Sequence, residues 1–189
     1  GVLREPAFAL NMTGFGAGVF MYVGLLALTM ARHFLGAPVE GKMTPTLWVH
    51  LAPLSVIPLS MLALLKTTGD ASLLRYGSLV AAAFLGAALW WLVLAVSMTI
   101  RNRRQGKLPF ALSWWAFVFP IGACSVLAYR VSELLALEVL PLVASGLTLL
   151  ALFVWSATAL GTVRGISHLT RKTRGHTHAQ GGWSRVLLK

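Results

Sequence analysis

Charge is scarce in this chain. Of its 189 residues only 11% are charged, and five acidic residues stand against sixteen lysines and arginines. A soluble domain carries roughly 25% charged residues, so 57% hydrophobic content and a mean hydropathy of +0.77 exclude an ordinary water-soluble globule. Cysteine is nearly absent. The single Cys124 excludes a disulfide framework within the chain and a cysteine-based zinc site, since each needs several thiols. No acidic residue falls in the middle of an apolar run, which argues against a proton relay, because ionisable groups at membrane depth are the usual mark of a coupled pump. His, Asp, Glu and Cys do not cluster on facing runs either, so neither an enzyme nor a bound metal or cofactor is expected. The first apolar run lacks a basic n-region and a small-residue cleavage site, and the chain opens on Gly1, so a fragment is expected rather than a signal peptide.

What the sequence has is long apolar runs. A membrane-spanning helix needs about 20 apolar residues to cross roughly 30 Å of hydrocarbon. Five stretches qualify: Ala7 to Ala31, Leu47 to Leu65, Tyr76 to Ile100, Ala111 to Tyr129 and Val139 to Val163. The fold class expected is therefore all-α and polytopic, with a transmembrane domain over 1–163 and a basic tail over 164–189. Breakers and charge separate the runs at Gly36, Pro38 and Gly41, at Thr67 to Asp70, and at Asn102 to Pro109. No matching repeat is visible, although the spacing of the runs suits stacked helical hairpins. The net charge of +11 would suggest nucleic acid in a soluble protein, but here the basic residues lie between apolar runs and the bilayer is the expected partner. One side of the membrane collects four of them, Arg4, Lys66, Arg75 and Arg130; the other collects twelve, including Arg101, Arg103, Arg104, Lys107 and the tail. Cytoplasmic loops hold the excess, which predicts an internal C-terminus and an external start.

Two runs contain prolines well inside them: Pro53 and Pro58 in the second, Pro120 in the fourth. Proline removes a backbone donor and clashes with the carbonyl four residues back, so a break in the helical ladder is expected at each. In one reading these broken segments line an aqueous path where freed backbone groups and the hydroxyls of Ser55 and Ser60 meet a solute; in the other they are ordinary packing, since proline is common in membrane helices. Phe119 precedes Pro120 among the small residues Ala116, Gly122, Ala123 and Cys124. An aromatic ring so placed suits a hydrophobic constriction that gates by excluding water, or a core position. Asn11 and His50 are the nearest polar candidates in the spans; His50 reads as a hydrogen-bonded packing histidine before a metal or haem ligand. Gly14 and Gly18, with Gly16 between them, form a small-xxx-small face for close helix approach, not a phosphate loop. His168, His176 and His178 in the tail read as part of a solvated basic segment, and Arg171, Lys172 and Arg174 as a positive-inside anchor or a contact to anionic headgroups. Trp48, Trp114, Trp115 and Tyr129 read as interfacial belt residues, whereas Trp90 and Trp91 lie deeper without an assigned role.

The string Ser113-Trp114-Trp115-Ala116-Phe117-Val118-Phe119-Pro120 closely resembles the ninth-helix motif of the tellurite-resistance/dicarboxylate transporter family, which includes fungal malate and sulfite transporters and plant slow anion channels. Pro45-Thr46-Leu47-Trp48, followed by Ala52-Pro53, is similar to the family's seventh helix. The resemblance implies ten helices in five tandem hairpins around a central pore, of which this chain would be helices six to ten, in an assembly that is often a homotrimer. It further implies transport of a small anion such as a dicarboxylate, sulfite, nitrate or chloride, with Phe119 as the pore gate and Phe117 as second choice. The remaining helices would come from the rest of the protein or from a second chain, and an integral location in a bacterial inner membrane is expected. The alternative function, from a different class, is a structural membrane subunit that transports nothing.

Overall fold

In the computed structural model the described residues are 4–36 and 41–183, with side chains described for 5–36, 41 and 43–165. Pro38 and the side chains of Lys42, His168, Arg171, Lys172, Arg174, His176 and His178 lie outside them. Six α-helices account for most of these residues: α1 (Arg4–Leu35), α2 (Thr44–Val49), α3 (Leu51–Thr68), α4 (Ala71–Arg104), α5 (Val118–Leu135) and α6 (Leu140–Trp183). Two 3₁₀ turns, Gly41–Met43 and Leu112–Phe117, lead into α2 and α5. Among the described residues five segments are long and apolar enough to span a bilayer: Glu5–Leu35, Thr44–Thr68, Ala71–Arg104, Leu112–Leu135 and Leu140–Gly165. They coincide with the five expected runs, and most extend a turn or more beyond them because helix continues into the polar flanks.

The ends of the helices follow from local chemistry. Gly69 takes a left-handed φ of 74° after α3, where a residue without Cβ meets no steric penalty. The next residue, Asp70, caps α4 by accepting from the backbone N–H of Ser72 at 2.8 Å and of Leu73 at 3.2 Å. After α4, Gly106 reverses the chain at φ 66°. After α5 the left-handed position is Ala136, at φ 53°, and Ser132 closes the turn by donating to the carbonyl of Leu137 at 3.0 Å.

α5 is the central element, packed against α3, α4 and α6, while α3 also lies along α4. Ile121, Cys124, Leu127, Ala128 and Val131 form its fully buried stripe at helical spacing. The helix α1 leans on α3 and is otherwise open, with 6% of its most apolar stretch buried. A buried hydrogen bond of 2.6 Å from Asn102 Nδ2 to Thr44 Oγ1 ties the end of α4 to the start of α2. Close by, Gly41 abuts the backbone carbonyl of Lys107, where a Cβ has no room. Overpacking against a rigid group costs about 1–3 kcal/mol. Gly41→Ala is therefore expected to lower the thermal unfolding midpoint in detergent; an unchanged midpoint would show that the two loops separate freely.

Candidate functional site

The two proline-bearing spans break in the same way. The span Thr44–Thr68 is interrupted at His50, where α2 gives way to α3, and Pro53 sits in the first turn of α3. Span Leu112–Leu135 runs as 3₁₀ turn to Phe117 and as α-helix from Val118, with Pro120 in the first turn of α5. Proline is at home in a first turn, where its missing N–H has no intrahelical partner to lose. Each break thus falls a few residues before the proline and not at it. The third proline, Pro58, lies inside α3 and is buried. A shared spacing underlies both breaks: Trp48 precedes Pro53 as Trp115 precedes Pro120, and the α-helix restarts three residues after each tryptophan.

The hydrogen bonds repeat as well. Trp48 Nε1 donates to Thr99 Oγ1 at 3.0 Å, and that hydroxyl donates to the carbonyl of Ala95 at 2.7 Å. Trp115 Nε1 donates to Thr162 Oγ1 at 3.3 Å, and that hydroxyl donates to the carbonyl of Thr158 at 2.9 Å. Each indole tethers its broken segment to the helix that follows it, so two successive hairpins carry one design that the sequence alone does not display as a repeat. Trp48 is consequently a core tether, 5% exposed, and not an interfacial belt residue. Trp115 is 39% exposed. Because a buried donor or acceptor left without a partner costs about 1–3 kcal/mol and an exposed one much less, Trp48→Phe is expected to lower thermal stability distinctly more than Trp115→Phe. Equal losses would contradict the assigned burial.

At the first break the freed backbone groups are met by protein. Tyr22 OH, from α1, donates at 3.1 Å to the carbonyl of His50, which also accepts the Leu54 N–H at 3.4 Å, and Trp91 Nε1, from α4, donates to the carbonyl of Leu47 at 2.7 Å. These carbonyls do not face a solute, contrary to the expectation for an aqueous path read from the prolines. The imidazole of His50 lies half-buried between the rings of Tyr22 and Trp91, with centroids at 6.1 and 5.0 Å. Among the described residues no three His, Cys, Asp or Glu side chains gather as a metal site. Trp91 has the role that sequence reading left blank; a tryptophan deep in an apolar span, whose N–H must find an acceptor, was the available signal.

The two phenylalanines of the motif part company. Phe117 is 4% exposed and packs edge-to-face between Trp48, at 5.2 Å, and Trp114, at 5.7 Å. Phe119 is 65% exposed, on a face of α5 that continues through Ala123 and Val126. On α3, which packs against α5, Ala52, Val56 and Ser60 are all at least partly exposed. Pro53 is half-buried beside them, and Pro120 is buried. Ser55 turns away, donating to the carbonyl of Leu51 at 2.8 Å. On α1, Gly14 and Gly18 are exposed and a Cβ on either would meet nothing within 4 Å, so their expected helix-packing face has no partner among the described residues.

Comparison with known proteins places this arrangement. The family described as voltage-dependent anion channel, SLAC1, matches residues 3–163. Two uncharacterized transporters of Methanocaldococcus jannaschii are similar: one is 31% identical over 163 residues, covering 86% of this chain and 48% of the relative, and the other 32% identical over 162 residues, covering 86% and 47%. The chain spans about half the length of these curated relatives. No solved structure matches it. The match over residues 3–163, with five spans and the paired broken helices inside it, shows that the chain belongs to the voltage-dependent anion channel family, the group that the string from Ser113 to Pro120 resembles.

Proposed function

We propose that this chain supplies part of a membrane pathway for small anions, lined by the uncovered faces of α3 and α5 and gated by Phe119. The observation that carries the reading is the exposure of Phe119 beside small residues on the one face of the central helix that no described element covers. Family membership and the transporter names of the relatives support the transport class. Phe117, held between two indoles, serves packing in this reading and leaves the gate to Phe119 alone. Tyr22 and Trp91 donate to the carbonyls of His50 and Leu47 at the first break, so a passing anion meets side chains there and not a bare backbone.

The excess of basic residues at the loop Arg101–Lys107 and beyond Arg164 sets the C-terminus in the cytoplasm. The open faces of α1, Gly14 and Gly18 included, suit close packing with further helices, whether from a longer protein, a second chain or other copies in a homotrimer. The deciding experiment is anion flux through full-length protein reconstituted in vesicles, with dicarboxylate, sulfite, nitrate and chloride each supplied in turn. Movement of at least one of them is expected. Vesicles tight to all four would end the proposal and favour a structural subunit.

A further inference from the structure

The face of α5 that carries Phe119 also carries Arg130. Three helical turns separate them, which at about 100° per residue returns Arg130 to within about 20° of the same bearing, about 16 Å further along the axis. There Arg130 Nη1 donates to Glu133 Oε2 at 2.9 Å, with the two side chains 57% and 43% exposed. An ion pair this exposed contributes little to stability, so holding the fold together is a weak reason for it. The pair lines a cavity of about 220 Å³ between α3, α4 and α5, at the ends of the inner helices opposite the Arg101–Lys107 loop. Lys66, from the last turn of α3, lines it too. The walls are apolar: Leu59, Leu62, Leu74 and Leu134.

Charge and shape together specify a ligand. Glu133 neutralises one of the two cations, which leaves the cavity a net positive charge. A guanidinium offers five N–H donors in a planar fork, and Glu133 is bonded to one nitrogen, so a second carboxylate can dock on the edge that remains. At about 30 Å³ for each water-sized group, the cavity holds about seven. That is one carboxylate with an alkyl chain of about four carbons lying on the leucines. A bare inorganic ion would leave the apolar walls unused.

We propose that Lys66, Arg130 and the leucine walls form a binding site for a short-chain carboxylate, head on the two cations and tail on Leu59, Leu62, Leu74 and Leu134. The site stands apart from the Phe119 gate and is read by binding, so its fate is independent of whether the protein conducts. Pentanoate titrated calorimetrically into full-length protein in neutral-lipid nanodiscs is expected to bind saturably at about millimolar concentration. A charge-assisted hydrogen bond lost from Arg130→Gln should weaken it about tenfold, and Lys66→Gln should weaken it to a lesser extent. Glu133→Gln, which frees the guanidinium, should tighten it. Shortening the ligand towards acetate should weaken binding about fourfold for each methylene removed from the leucine wall. Absence of saturable binding, equal binding by wild type and Arg130→Gln, or equal binding of acetate and pentanoate would each overturn the site. Loss of pentanoate binding in nanodiscs of anionic phospholipid would overturn it as well, by assigning the cations to lipid headgroups.

Discussion

Phe119→Ala is expected to raise anion conductance of the reconstituted full-length protein by at least about tenfold, corresponding to a barrier lowered by about 1.4 kcal/mol. A hydrophobic constriction impedes an ion because the ion must shed water that the ring cannot replace. The ring of Phe119 projects from α5 with 65% of its surface exposed, and the residues one turn on, Gly122 and Ala123, are too small to take over its role. On α3 the partly exposed Ala52 and the exposed Val56 are also small. Removing the ring therefore widens the path without a substitute closing it. Phe119→Leu should fall between alanine and wild type, because it keeps an apolar side chain of smaller reach.

Phe117→Ala is the informative contrast. That ring is 4% exposed between Trp48 and Trp114, and truncating a buried aromatic costs about 3–5 kcal/mol in stability. The variant should lose thermal stability and yield with no gain in current for each folded molecule. Unchanged current in Phe119→Ala, with normal assembly, would remove the gate from this position. A gain confined to Phe117→Ala would move it two residues back.

The membrane spans were legible because an apolar run of bilayer length has few alternative meanings. Their ends were legible to within a turn or two through Gly69, Asp70 and Gly106. The broken helices were anticipated from proline, but their position was not. Pro53 and Pro120 mark the first turn of a new helix, and the interruption lies earlier, at His50 and Phe117, where nothing in the residue type demands it. The internal repeat was hidden for a similar reason. Its shared chemistry is a tryptophan bonded to a threonine of the next helix, and those threonines, Thr99 and Thr162, are ordinary in sequence. Hydropathy likewise could not separate Phe117 from Phe119. Both are apolar residues of one motif, and only the packing of α2 against the 3₁₀ turn buries one and leaves the other uncovered.

The largest loss of stability in the helix-break region is expected from removing both donors that close it. Trp91 is 2% exposed, and its indole N–H to the Leu47 carbonyl, at 2.7 Å, joins α4 to the end of α2. Tyr22, 7% exposed, does the same from α1 for the carbonyl of His50 at 3.1 Å. The Leu47 carbonyl has no bulk water to fall back on in a bilayer, and an orphaned buried acceptor costs about 1–3 kcal/mol; the His50 carbonyl keeps a long backbone bond from the Leu54 N–H, at 3.4 Å, when the Tyr22 hydroxyl is removed. Trp91→Phe should thus cost more than the measured average of a membrane hydrogen bond, about 0.6 kcal/mol, because a smaller ring also leaves a void beside His50. Tyr22→Phe keeps the ring and removes only the hydroxyl, so it isolates the bond. In the double variant the Leu47 carbonyl loses its donor and the His50 carbonyl keeps only the Leu54 N–H, two flanking helices lose their polar hold on the same segment, and the combined penalty should exceed the sum of the two, as coupling between neighbouring sites allows. Thermal unfolding in detergent measures the total, and amide exchange over residues 47–52 locates it. Strict additivity with unchanged exchange would mean that the break is held by packing alone, and the two aromatic donors would then be incidental to the interrupted helix on which the proposed pathway depends.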